Sequence, residues 1–249
     1  MKEVNLKTEW VEYQLDGKNF RGYLAYNENT TKPRPTVVVA HAWMGQDAFA
    51  RQKTELLAKL GYVGFAVDIY GDGKCVNSSE DAAALMMPLF IDRDTLRKRI
   101  VAGYKTAGEQ MMADPAKMGA IGFCFGGLSV IELLRSGVFL KGVVSFHGLL
   151  GSALGSTKAH TVPAAQKLHG SLLILHGHKD PLVSKEDIEL AQKEFTKAEI
   201  DWQMHIYGKA THAFTNPAAD DPESGMMYHP KSEQRALLTM KNFFSEVFD

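Results

Sequence analysis

The sequence predicts an α/β fold: a three-layer sandwich with a mostly parallel central sheet, an antiparallel hairpin at its N-terminal end, and helices on both faces. Three observations carry this expectation. Residues 9–26 alternate around Asp16-Gly17, a strong signal for a tight hairpin turn. Short, continuously apolar runs recur along the chain, as strands buried on both faces require. Helical patterns separate those runs, and such alternation builds a parallel sheet through right-handed crossovers.

In chain order, Trp10–Leu15 and Lys18–Tyr26 form the hairpin. Pro33 and Pro35 punctuate, and Thr36–Ala40 follows as the first buried strand. The helix predicted over Ala48–Leu60 stops at Gly61, whose freedom to adopt positive φ suits a helix C-terminus. Further strands are expected at Tyr62–Ile69, Met118–Phe123, Gly142–His147, Leu172–His176 and Trp202–Tyr207. Ser79–Met112 reads as a long helical stretch broken near Pro88 or Asp92, and Leu128–Arg135 as a helix halted by Gly137. Ser184 with Asp187 three residues on is a capping-box pattern, followed by apolar Ile188, Ala191 and Phe195. Arg235–Val247 closes the series as an amphipathic helix. No repeat or linker interrupts the pattern. Residues 151–170 read as a polar surface insertion, so residues 1–249 are expected to form one domain.

Composition narrows the function classes. The 249 residues are 45% hydrophobic and 23% charged, ordinary for a globular protein. The 28 basic and 29 acidic residues leave a net charge of −1, which removes the electrostatic case for nucleic acid or a polybasic membrane contact. Two cysteines, Cys75 and Cys124, exclude a disulfide scaffold and a cysteine-rich zinc site. The first residues mix both charge signs, and the richest apolar stretch, Ala82 to Ile91, is short and holds Pro88. Neither a secretory signal nor a membrane span is expected, and a cytoplasmic location follows as the default. No histidine pair has metal-ligand spacing, so no metal and no cofactor is expected.

The sharpest chemical feature is Gly122-Phe123-Cys124-Phe125-Gly126-Gly127, after a buried strand and before a helix. Glycines around a nucleophile permit a tight strand-to-helix turn that lifts the central side chain out of the sheet edge. The same turn points the N–H of Phe125 at an anion forming beside the sulfur, and a helix N-terminus favours negative charge there. Asp180, in His178-Lys179-Asp180, falls just past one strand end, and His212, in Ala210-Thr211-His212-Ala213-Phe214, past another. Both lie at the sheet edge where ligand sites of open α/β sheets collect. His41-Ala42-Trp43-Met44-Gly45 follows the first buried strand, and the backbone N–H of Trp43 is the candidate second oxyanion donor. His41, Met44, Tyr70, Met87 and Phe214 are the candidate pocket residues. Cys75 lacks the glycine-flanked context and receives no role.

These segments resemble the dienelactone hydrolase family, the cysteine branch of the α/β-hydrolases. The likeness runs from the hairpin through Asp68-Ile69-Tyr70 and the Cys124 turn to the His212 loop. It implies Cys124 as nucleophile, His212 as base, Asp180 as its orienting acid, and a thioester acyl-enzyme formed from a small ester or lactone. The expected partner is a small-molecule ester or lactone, with the chain a monomer or homodimer. Two positions depart from the family pattern. Ala42 stands where a glutamate holds the resting thiol, and Asn216 where an arginine holds the dienelactone carboxylate. No arginine lies in Leu85–Leu89, and Arg93, Arg97 and Arg99 beyond it read as a solvated helix face. Both departures argue against dienelactone itself. The same residues also fit a catalytically silent ligand-binding homologue, or a thiol acyltransferase or peptidase.

Overall fold

The computed structural model of the chain describes residues 4–151, 153–154, 157–158, 164 and 167–249. Half of the expected 151–170 insertion, including His160, and residues 1–3 lie outside the described residues. The chain opens with β1 (Leu6–Leu15), β2 (Lys18–Asn27), β3 (Arg34–Ala40), α1 (Ala48–Lys59) and β4 (Val63–Val67). Two successive helices follow, α2 (Ser79–Ile91) and α3 (Arg93–Gly108), then β5 (Ala113–Phe123), α4 (Phe125–Arg135) and β6 (Gly142–Phe146). A small two-stranded pair, β7 (Ala153–Leu154) and β8 (Thr157–Lys158), precedes β9 (Ser171–Gly177), α5 (Lys185–Lys197) and β10 (Trp202–Tyr207). A second small pair, β11 (Asp220–Asp221) and β12 (Met226–Met227), leads to α6 (Pro230–Phe248).

Eight strands make one sheet in the order β1-β2-β4-β3-β5-β6-β9-β10. Asp16 and Gly17 both take positive φ, 50° and 74°, which closes the tight turn between β1 and β2. β2 pairs antiparallel with β4, and every pairing from β4 onward is parallel. The carboxyl ends of six parallel strands therefore open on one edge.

Period-two alternation splits the core between the two faces of the sheet. Val38, Ala40, Val143, Leu172 and Ile174 join one apolar cluster, with Ile100 of α3, Leu128 and Ile131 of α4 and Phe195 of α5. Val37, Val39, Val144, Leu173 and Leu175 join the other, with Leu57 of α1 and Met240, Phe243 and Phe244 of α6. A one-residue slip would exchange these sets, so burial on both sides fixes the register. Among the described residues, no helix is long and apolar enough to cross a membrane.

The long helical stretch breaks at Asp92, not at Pro88, which stays inside α2. Asp92 leaves helical geometry and its Oδ1 accepts from the Thr95 N–H at 3.0 Å, capping α3. Capping supplies an acceptor to a first-turn N–H that has none within the helix. Asp92→Ala is expected to cost about 1 kcal/mol of stability and to lower Tm by about 2–4 °C, checked by calorimetry.

Candidate active site

Cys124 sits between β5 and α4 with φ 57° and ψ −117°, a conformation that L-residues resist. Its neighbours impose it. A Cβ on Gly122 would meet the Gly126 carbonyl oxygen at 2.0 Å, and one on Gly126 would meet the Ala40 carbonyl oxygen at 2.1 Å. The Cys124 N–H donates to Phe146 O at 3.1 Å, and its carbonyl accepts from Gly127 at 3.0 Å and Leu128 at 3.3 Å. Cys124 is the N-cap residue of α4. Phe125 is the first residue of that helix, so its N–H has no intrahelical acceptor.

Asp180 and His212 arrive from the two neighbouring strand ends. A turn after β9 closes with the Asp180 N–H on Gly177 O at 3.0 Å, and Oδ1 accepts from the Leu182 N–H at 2.9 Å. Oδ2 accepts from His212 Nδ1 at 2.8 Å. That bond assigns the imidazole hydrogen to Nδ1 and leaves Nε2, which is buried and has no hydrogen-bond partner. The His212 backbone is pinned on both sides, donating to Gly225 O at 3.0 Å and accepting from Met227 N at 3.1 Å. Burial opposes a charged imidazole here, but the Cys124 sulfur and Asp180 more than offset it, and the His212 pKa is raised to about 10.

His147 completes the cluster. The sequence places it at a strand end; in the structure its ring stands edge-on to that of His212, centroids 5.3 Å apart. Its Nε2 pairs with Thr215 Oγ1 at 2.8 Å and its Nδ1 is buried without a partner. Burial, then the charge on His212, push its pKa well below the ordinary histidine value, so it stays neutral.

The loop after β3 is shaped by side chains behind it. The Ile69 N–H donates to His41 Nε2 at 3.2 Å, so Nδ1 carries the hydrogen and donates to Ala42 O at 2.7 Å. Burial lowers the His41 pKa and preserves this neutral tautomer. The Tyr70 hydroxyl donates to Trp43 O at 2.7 Å; burial, then the charge of Cys124, push its pKa up and keep it protonated. Both carbonyls flanking the Trp43 N–H are thereby held. Asp68 anchors the backing segment, accepting from the N–H groups of Arg21, Tyr70, Gly71 and Gly73.

A cavity of about 340 Å³ opens beside Cys124, lined by Trp43, Met86, Leu149, Leu182, Ser224 and Met226. A second, of about 50 Å³, touches Met44, Asp47, His147, His212 and Asn216 and shares Trp43, Cys124 and Met226 with the first. Of the five residues expected to line a pocket, only Met44 borders either space. His41 is fully buried with both ring nitrogens committed to backbone, and Tyr70 is buried beneath the loop. Phe214 packs on the far apolar cluster against His147 and Tyr207. Met87 is one helical step from Met86, and that step turns it out of the cavity wall. Leu149, Leu182 and Ser224 carried no signal in the sequence, because they lie in irregular connections without period.

The arginines after Asp92 are not a solvated face. Arg93 and Glu132 are each about 4% exposed, and Glu132 also binds Arg97 at 2.7 Å and Arg135 at 2.8 Å. Arg99 donates to the carbonyls of Ile69 and Tyr70. Helices α3 and α4 pack together, and burial there forces the charges to pair. None of these cations lines either cavity.

Comparison with known proteins agrees with this architecture. A family model described as the dienelactone hydrolase family matches residues 20–248. A curated relative from Aquifex aeolicus, named "Putative carboxymethylenebutenolidase", is 28% identical over 95% of this chain and 97% of its own length. A solved structure named m3DLH is 37% identical with a TM-score of 0.90, covering 98% of this chain and 99% of that one. A dienelactone hydrolase-like promiscuous phosphotriesterase from metagenomic libraries is 32% identical with the same TM-score and the same coverage of both chains.

Removing the sulfur should lower the His212 pKa, because the remaining burial still favours the neutral ring. In Cys124→Ala, the His212 imidazole is expected to titrate at lower pH than in the unaltered protein, followed by NMR of the ring protons. An unchanged midpoint contradicts the coupling.

Proposed function

The chain belongs to the dienelactone hydrolase family, and on that premise we propose that it hydrolyses small esters or lactones through Cys124, His212 and Asp180. The observation carrying this reading is the 2.8 Å bond from His212 Nδ1 to Asp180, which leaves a buried, unpartnered Nε2 at a cavity shared with Cys124. Asp180 fixes the tautomer and stabilises the imidazolium, as the orienting acid of such a triad does. His212 takes the thiol proton of Cys124, and the sulfur anion so formed is the reactive form of a cysteine nucleophile.

The anion attacks the substrate carbonyl. The N–H groups of Phe125 and Trp43 receive the oxyanion, fixed before reaction and so requiring no reorganisation. As the tetrahedral intermediate collapses, the carbon–oxygen bond breaks and His212 gives its proton to the departing alkoxide. The resulting thioester carries no charge on sulfur. The main influence raising the His212 pKa disappears with it, so the ring stays neutral and takes a proton from water. The water oxygen bonds to the carbonyl carbon, the carbon–sulfur bond breaks, and acid is released with the ion pair restored.

The large cavity shapes substrate choice. Among the described residues its lining offers the Ser224 hydroxyl and no cation, so a carboxylate placed there would lose hydration without a partner. The substrate is accordingly an uncharged ester or lactone rather than dienelactone. No partner beyond the small molecule is needed for this chemistry.

Cys124→Ala is expected to lower turnover of methyl esters by about 10⁴-fold or more and to abolish the acyl adduct seen by mass spectrometry of the quenched protein. Turnover at an unaltered rate overturns the nucleophile assignment. Asp180→Asn should cost about 10⁴ in kcat by releasing the tautomer. Tyr70→Phe removes only the hydroxyl that holds Trp43 O; kcat should fall roughly 10- to 100-fold with KM little changed, read from steady-state kinetics.

A further inference from the structure

The two spaces meeting at Cys124 differ in kind as well as size. The larger is walled by apolar side chains apart from Ser224 and the cysteine itself. The smaller borders His212 and His147, whose Nε2 and Nδ1 are buried without hydrogen-bond partners, together with Asp47 and Asn216. His212 borders the smaller space and not the larger. Ala42 and Asn216, the two departures from the family pattern, both line the smaller one.

The geometry points to a division of the ester at Cys124: an apolar acyl chain fills the large cavity and a small alcohol the compartment beside His212, so the preferred substrates are medium-chain acyl esters of short alcohols. This rests on the ester-hydrolysis reading above and specifies its substrate class. The argument is one of reach. The leaving oxygen must take its proton from His212 Nε2, so the alcohol half lies on the side that His212 borders. A water needs about 10–15 Å³ of such space, so about 50 Å³ admits a few waters or a methoxy- to ethoxy-sized group. The other half of the substrate then occupies the roughly 340 Å³ space, where each buried methylene contributes favourably.

The reverse placement fails on both counts. It would set the leaving oxygen away from the proton donor and crowd any longer acyl chain into the small compartment. The division also supplies the second half of the cycle. In acylation the sulfur–carbon bond forms, the ester carbon–oxygen bond breaks, and the His212 proton leaves with the alcohol. The vacated compartment then takes water within reach of neutral His212, while the acyl chain stays in the apolar cavity. Water gives one proton to His212, its hydroxide bonds to the acyl carbon, and thiolate and carboxylic acid separate.

Methyl hexanoate and pentyl acetate are isomers that differ only in which half is long. With the unaltered protein, kcat/KM is expected to be about tenfold or more higher for methyl hexanoate, measured by proton release in a pH-stat. Methyl acetate to methyl hexanoate should also rise about fourfold per acyl methylene. Equal rates or a preference for pentyl acetate, with both activities lost in Cys124→Ala, overturn the division and leave the nucleophile standing. Hydrolysis of neither isomer overturns it too, since methyl hexanoate is the shape the two spaces dictate. Activity that survives in Cys124→Ala overturns the underlying reading itself.

Discussion

The geometry of the site depends on one backbone conformation. At φ 57° Cys124 occupies a region that costs an L-residue about 1–3 kcal/mol, and close packing around it leaves no relaxed alternative. The Gly122 and Gly126 contacts bring β5, α4 and the end of β3 to a separation that no Cβ tolerates. Hydrogen bonds at both ends of the Cys124 residue then tie it to β6 and to the first turn of α4. Strain, anion-favouring helix terminus and projecting sulfur are therefore one feature.

The other groups gather at the same edge because the parallel strands end together. His41 follows β3, His147 follows β6, Asp180 follows β9 and His212 follows β10, and the open edge gathers them although they span most of the chain. Three of these histidines are buried and do different work. His41 is neutral and spends both nitrogens on backbone, His147 is neutral beside Thr215, and His212 alone has a carboxylate on Nδ1. Environment, rather than residue type, separates the three.

Much of this was legible in the sequence because it is local. The hairpin turn at Asp16-Gly17, the capping box at Ser184 and the glycine-flanked Cys124 each declare themselves within a few residues. Strand ends and chain order placed Asp180 and His212. Leu149, Leu182 and Ser224 were not legible as cavity walls, since they become neighbours only through folding. Met87 was expected where Met86 stands, a one-residue error that on a helix is a turn of about 100°. Arg93 and Arg97 were expected in water because a charged run usually is; Glu132, on α4 and distant in sequence, draws them inward.

The cavity walls and the groups proposed to react largely share stretches of chain. Leu182 follows Asp180 by two residues in the β9–α5 connection, and Ser224 and Met226 share with His212 the segment after β10, whereas Met86 stands apart on α2. A change at Leu182 or Ser224 pulls on the loop that carries the carboxylate or the imidazole, whereas α2 can be rewritten without touching either. Descendants of such a chain would change diet first through α2.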